Sequence, residues 1–149
     1  MNLTERLATF VAETGPEDIS AEARLQARRA ILDTLGVTLA GCAEPGSRIV
    51  ADWVREQGGA GESSVLGQGF RAPAAEAALA NGTSGHALDY DDVNMSMRGH
   101  PSVPLLPAVL ALGEKLGSSG RELVDAFVLG FEVEAKVGRA MGGPHYALG

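Results

Sequence analysis

Residues 119–141 read SGRELVDAFVLGFEVEAKVGRAM, and this stretch decides the fold class. Its opening, Ser119-Gly120-Arg121-Glu122, matches the S-x-x-E capping box. In that box the serine hydroxyl and the glutamate carboxylate each take a backbone N–H that the first helical turn leaves unpaired. Leu123, Phe127, Leu129, Phe131, Val133 and Val137 follow, and Gly142-Gly143-Pro144 stops the run. Working back along the chain, the same grammar recurs. Pro104 to Leu116 carries Leu105, Val109 and Leu112 at helical spacing, with Pro107 expected in the first turn, where proline is tolerated. Pro73 suits the first position of an alanine-rich helix running to about Gly82. Ser47 to Gln57 forms another helix, with Ile49, Val50, Trp53 and Val54 as its expected buried stripe, and Gly58-Gly59-Ala60-Gly61 breaks it. Ser20 caps the longest regular segment, which ends at Gly41. Leu25, Leu32, Leu35 and Leu39 are expected to face inward there, with Glu22, Arg24, Arg28 and Arg29 on other faces. Leu3, Leu7, Phe10 and Val11 predict a short first helix ending near Gly15-Pro16.

Only Glu62–Phe70 reads as strand, and it is short and glycine-interrupted. The expectation is an all-α helical bundle with at most one short β-hairpin. No repeat of solenoid length is present.

Composition narrows the function. The chain has 149 residues, with 12 Lys+Arg against 19 Asp+Glu, giving a net charge of −7. That balance opposes a general nucleic-acid binder, which needs clustered cations to displace phosphate counterions. No apolar run approaches the ~18 residues of a membrane span, so no membrane partner is expected. Cys42 is the sole cysteine, which excludes an internal disulfide framework and a multi-cysteine zinc site. Met1–Leu3 leads into an amphipathic segment without a basic and then apolar leader, so a reduced, cytoplasmic setting is expected. The 20 glycines and 5% aromatics suit helices that approach one another closely.

Candidate chemistry is concentrated between Gly85 and Ser102. His86, Asp89, Tyr90, Asp91, Asp92, Asn94, Arg98 and His100 all fall there. Adjacent carboxylates repel one another, and such crowding is one way to tune an acid–base group. If the preceding helix continues, His86, Asp89 and Tyr90 share one face at i, i+3, i+4. The plainer alternative stands beside this one: acids at a helix end are often only solvated or cap the next helix, and Ser102 suits a cap. Metal binding by Asp89, Asp91 and Asp92 with a histidine is a further option. The calcium-loop pattern nevertheless fails at Val93, Asn94 and His100, and no phosphate-cradling glycine loop is present. The expected metal is none.

Taken together, several segments resemble the MmgE/PrpD family of 2-methylcitrate dehydratases and cis-aconitate decarboxylases. They are LTERLATFVAE, ARRAILDTLGVTLAG, Ala80-Asn81-Gly82 leading into GHALDYDD, GHPSVPLLPAVLALGE, ELVDAFVLGFEVEAKVGRA and GPHYALG. The H-A-x-D-[FY]-D-D…H-P-S combination is the most specific of these features. The resemblance implies a partial helical domain over residues 1–149, with a smaller lid domain beyond it and a site in the cleft between them. It implies a cofactor-independent lyase of the 2-methylcitrate dehydratase type, acting on a small di- or tricarboxylate, commonly as a homodimer. Matched residue by residue, it makes Asp89 and His100 catalytic. His86, Asp92, Arg98 and His145 are candidate substrate-binding residues. Two positions depart from the decarboxylase-like members: Val93 replaces a threonine, and the loop from Asp89 to His100 is slightly longer. Dehydration, decarboxylation and isomerisation therefore all stay open. Family members continue past the position of Gly149 with a tryptophan or phenylalanine, a further histidine and a threonine. The expectation is that residues 1–149 hold an incomplete site, with little or no activity alone. The alternative is a non-catalytic helical module, or a subunit whose site a partner chain completes.

Overall fold

The computed structural model describes residues 1–142. Among these, six α-helices form: α1 (Leu3–Glu13), α2 (Ala21–Gly41), α3 (Pro45–Gln57), α4 (Ala74–His86), α5 (Ser102–Leu116) and α6 (Gly120–Met141). A 3-10 turn at Pro16–Asp18 joins α1 to α2. One antiparallel hairpin, β1 (Ser63–Val65) and β2 (Phe70–Ala72), pairs Ser63 with Ala72 and Val65 with Phe70. The fold is predominantly all-α. No helix of the described residues is long and apolar enough to cross a membrane.

Side chains fix several helix starts. Ser119 Oγ accepts from Glu122 N while Glu122 Oε2 accepts from Ser119 N at 2.7 Å, completing the capping box of α6. Ser20 Oγ accepts from Ala23 N at 3.1 Å at the head of α2. Pro73 is the N-cap of α4 rather than its first residue, and Glu62 Oε2 reaches across to accept from Ala74 N at 3.1 Å.

The helix α4 lies at the centre, packed against α2, α3, α5 and the hairpin. It can do so because its buried residues are small: Ala77, Ala80, Asn81, Ser84 and Gly85. A Cβ on Gly41 of α2 would sit 2.1 Å from the Ser84 carbonyl oxygen, so the two backbones touch there. Asn81 works as a splice between helix and hairpin, accepting from Leu66 N at 2.8 Å and donating to Ser64 O at 2.9 Å. On one side of α4, Val54, Val65, Ala72, Ala77 and Ala80 form an apolar cluster. A second cluster joins α2, α5 and α6 through Ala27, Leu106, Val124 and Phe127. Burying the Phe127 ring contributes roughly 2–3 kcal/mol.

The inward faces differ from the sequence expectation. On α2 the buried positions are Ala27, Thr34, Thr38 and Gly41, while Leu25, Leu32 and Leu39 are exposed. Leucines on that seam would wedge α2 from α4. The threonines fit because each hydroxyl bonds the carbonyl four residues back, Thr34 to Ala30 and Thr38 to Thr34, both at 2.7 Å. Similarly, Ile49 and Trp53 of α3 are exposed, and Ser47, Ala51 and Val54 face inward. Helix α5 begins at Ser102, which turns Val103, Leu106, Pro107 and Ala111 inward and leaves Leu112 exposed. Pro107 therefore lies in the helix interior, where it has no N–H to return to the Val103 carbonyl. Arg24, read as a polar-face residue, ties α2 to α6: its Nε and Nη2 donate to Asp125 at 2.6 and 2.9 Å, and Nη1 and Nη2 donate to the Ile19 and Pro16 carbonyls.

Candidate active site

The site grows from the end of α4. That helix runs four residues past the expected Gly82 and stops at His86, so the face shared by His86, Asp89 and Tyr90 does not form. Asp89 instead adopts the left-handed conformation, with φ 54°, a region that aspartate enters more readily than most residues. The reversal turns the next acid, Asp91, inward, and its side chain has no exposed surface at all. A closed loop follows. Asn94 N donates to Gly99 O at 2.9 Å and Arg98 N to Asn94 O at 2.8 Å, with Arg98 also left-handed at φ 54°. Closing that loop returns His100 to the side of Asp91.

Asp92 pins the loop to the next helix. Its Oδ1 accepts from Ser102 N at 3.1 Å and its Oδ2 from Ser102 Oγ at 2.6 Å, satisfying donors at the start of α5. The cap expected from Ser102 is thus supplied to it by Asp92.

Within the site, His86 Nδ1 lies 2.9 and 3.1 Å from the two Asp91 carboxylate oxygens. His100 Nδ1 lies 3.2 Å from Asp91 Oδ2 and 3.2 Å from the Asp91 carbonyl oxygen. On its other side, His100 Nε2 is 3.6 Å from Asp89 Oδ1. The imidazoles of His86 and His100 meet edge to face, with centroids 5.0 Å apart. Exposure is graded: side chains of Asp89 and His86 are 77% and 54% exposed, that of His100 is 30%, and that of Asp91 is 0%. One atom from each of these residues lies within 4.8 Å of the others, a spacing that a metal ion can also bridge.

The structure therefore brings His86, Asp89 and His100 together. It places Asp92 on the head of α5, and Arg98 beside Met95, Ser96, Gly138 and Arg139 near the end of α6. His145 lies outside the described residues. Sequence reasoning named Asp91 only as one acid of the crowded cluster and a metal-ligand option, because nothing in Asp89-Tyr90-Asp91-Asp92 says which acid turns inward. It missed Glu134, whose signal was its place as the acid between Val133 and Val137 on the apolar run of α6. Its Oε2 is buried without a hydrogen-bond partner among the described residues. Burial first, and the Asp92 carboxylate second, push the Glu134 carboxyl up to about 7.

The sequence model described as the MmgE/PrpD N-terminal domain matches residues 5–148. A cis-aconitate decarboxylase-like protein, oryM, of Aspergillus oryzae is 33% identical over 95% of this chain and 31% of its own length. The cis-aconitate decarboxylase of Homo sapiens is 31% identical over 91% of this chain and 29% of its own length. That of Mus musculus is 34% identical over 75% of this chain and 24% of its own length. The chain thus spans less than a third of the length of these curated relatives.

Proposed function

The chain belongs to the MmgE/PrpD family, and from that premise we propose that it supplies the acid–base pair of a lyase acting on a small di- or tricarboxylate. The observation that carries this reading is the pairing of Asp89 and His100. Their reactive atoms are 3.6 Å apart, both side chains are reachable from solvent, and the far nitrogen of the imidazole is hydrogen-bonded to the Asp91 carbonyl oxygen beside that residue's buried carboxylate.

Such a pair suits two related reactions. In a decarboxylation, the bond from carbon to the departing carboxylate breaks, CO₂ leaves, and the electron pair stays on a carbon that His100 or Asp89 then protonates. In a dehydration, one group takes the proton from the carbon beside a carboxylate while the other gives a proton to the departing hydroxyl, which leaves as water. Either step requires one group protonated and the other not, and positioned acid–base catalysis contributes about 10²–10⁴-fold. The names of the relatives favour decarboxylation of an unsaturated tricarboxylate over dehydration. Asp89, Asp91 and Asp92 make the site anionic by themselves, so cations that hold substrate carboxylates are proposed to come from polypeptide outside these residues.

The test is turnover by the full gene product that contains these residues. Incubated with cis-aconitate or 2-methylcitrate, it should release CO₂ from the first or water from the second, followed by proton NMR. Turnover of neither substrate overturns the reading.

A further inference from the structure

We propose that Asp91 is the positioning residue of this site, holding His86 and His100 in the Nδ1–H tautomer so that His100 presents a bare Nε2 to Asp89. Assigning that nitrogen a role in proton transfer rests on the reading of His100 given above; the tautomer itself does not.

Three observations carry the inference. First, the Asp91 side chain is wholly withdrawn from solvent, and a buried carboxylate needs donors to offset its lost hydration. Second, the atoms turned toward it are ring nitrogens of the same type, Nδ1 of His86 at 2.9 Å and Nδ1 of His100 at 3.2 Å. An ionised carboxylate only accepts, so each Nδ1 must carry a proton, and a neutral imidazole has just one to place. Third, His100 Nδ1 also faces the Asp91 carbonyl oxygen at 3.2 Å, a second group that can only accept. Both acceptors therefore demand the same tautomer at His100.

The consequence is directional. With its proton fixed on Nδ1, His100 can take or return a proton only at Nε2, the nitrogen 3.6 Å from Asp89 Oδ1. When Nε2 is protonated, the imidazolium that results keeps its Nδ1–H on the Asp91 carbonyl oxygen, with the Asp91 carboxylate 3.2 Å away as its counter-charge. This is the service that a buried acid performs for a catalytic histidine in hydrolases. Asp89, left-handed and exposed, and Asp91, buried, thus divide the work of the motif. One faces the substrate side, while the other orients the ring.

Long-range proton–nitrogen correlation spectra of the ¹⁵N-histidine-labelled chain test this, recorded at a pH of about 8, where unperturbed imidazoles are neutral. His86→Gln and His100→Gln assign the signals. The expected result is a protonated Nδ1 and a pyridine-like Nε2 for both rings. A protonated Nε2 on His100 overturns the inference, whatever any variant does. In Asp91→Asn the amide offers one accepting oxygen and one donating NH₂. His100 should keep its Nδ1–H in that variant, because the residue-91 carbonyl oxygen still accepts from it, so any switch to Nε2–H falls on His86 while the amide fingerprint stays that of wild type. A switch at His100 with His86 unchanged also overturns the inference. In the full gene product, Asp91→Asn should lower kcat by about 10²–10⁴-fold, because the imidazolium formed at His100 loses the negative charge beside it, with KM nearly unchanged. A rise in KM at unchanged kcat counts against positioning. The two readings fail separately: Nδ1–H rings in a full gene product that turns over neither substrate refute the lyase, whereas turnover with Nε2–H on His100 refutes the role of Asp91.

Discussion

Replacing Glu134 by glutamine should stabilise the chain above neutral pH and do almost nothing in mild acid. Glu134 sits on α6 with one carboxylate oxygen buried and unpartnered among the described residues, and its pKa is raised from 4.5 to about 7, chiefly by burial. The folded chain therefore holds this proton more tightly than the unfolded chain does. Below the unfolded value the group costs nothing. Between 4.5 and about 7 the unfolded state binds fewer protons than the folded one, so stability falls as pH rises, and above that window the deficit is constant. At about 1.36 kcal/mol per pH unit, the full gap bounds the cost near 3 kcal/mol. Partial access to solvent reduces it to about 1–2 kcal/mol. Glutamine fills the same space without the charge. Urea unfolding of wild type and Glu134→Gln at pH ~5 and ~8 gives the double difference, in which the titrations of other groups cancel. Glu134→Gln should gain about 1–2 kcal/mol on wild type at the higher pH and little at the lower. An equal difference at both pH values refutes the claim that burial beside Asp92 holds the proton on Glu134.

Other expectations follow from the packing and the caps. Gly85→Ala places a Cβ 2.5 Å from Val103 Cγ2 and 3.1 Å from Thr38 Oγ1, so it should cost about 1–3 kcal/mol by thermal unfolding. Gly36→Ala, in the same bundle but with nothing within 4 Å, should instead gain about 0.5–1 kcal/mol. Asp92→Ala strips the donors of Ser102 and should cost about 1–2 kcal/mol by urea denaturation, with Asp92→Asn milder because it keeps an accepting oxygen. The Asp125 carboxyl is held below its ordinary value by the hydrogen bond from Arg24. Its contribution is present above the unfolded value and is lost as pH falls through the folded one, so Asp125→Asn should flatten the acid side of the stability profile.

What the sequence made legible was local. Helix starts were readable at Ser20 and Ser119 because a cap is a contact between residues three apart, and the glycines after Gln57 marked the end of α3. Inward faces were not, because they depend on what lies opposite. A leucine repeat on α2 looks like a core stripe until α4, built of alanine, glycine and serine, comes close enough to admit only small residues such as Thr38 and Gly41. The offset on α5 has a similar origin. Its first turn is held by Asp92 from across a loop, so the helix begins at Ser102 rather than Pro104. In the site, the motif named His86, Asp89 and His100, and the structure brings them together by a left-handed turn at Asp89 and the bridge from Asn94 to Gly99 rather than by a helical face. Those two features decide that Asp91 turns inward, and neither can be read from residue types alone.

The most direct measurement of the central claim is kcat of the full gene product, on whichever carboxylate it turns over, for Asp89→Asn, His100→Gln and the double variant. Each single change should lower kcat by about 10²–10⁴-fold with the fold intact by circular dichroism. The double change should fall short of the product of the two, because paired groups act as a unit. Turnover near the wild-type rate in either single variant would contradict the assignment of Asp89 and His100 as the acid–base pair.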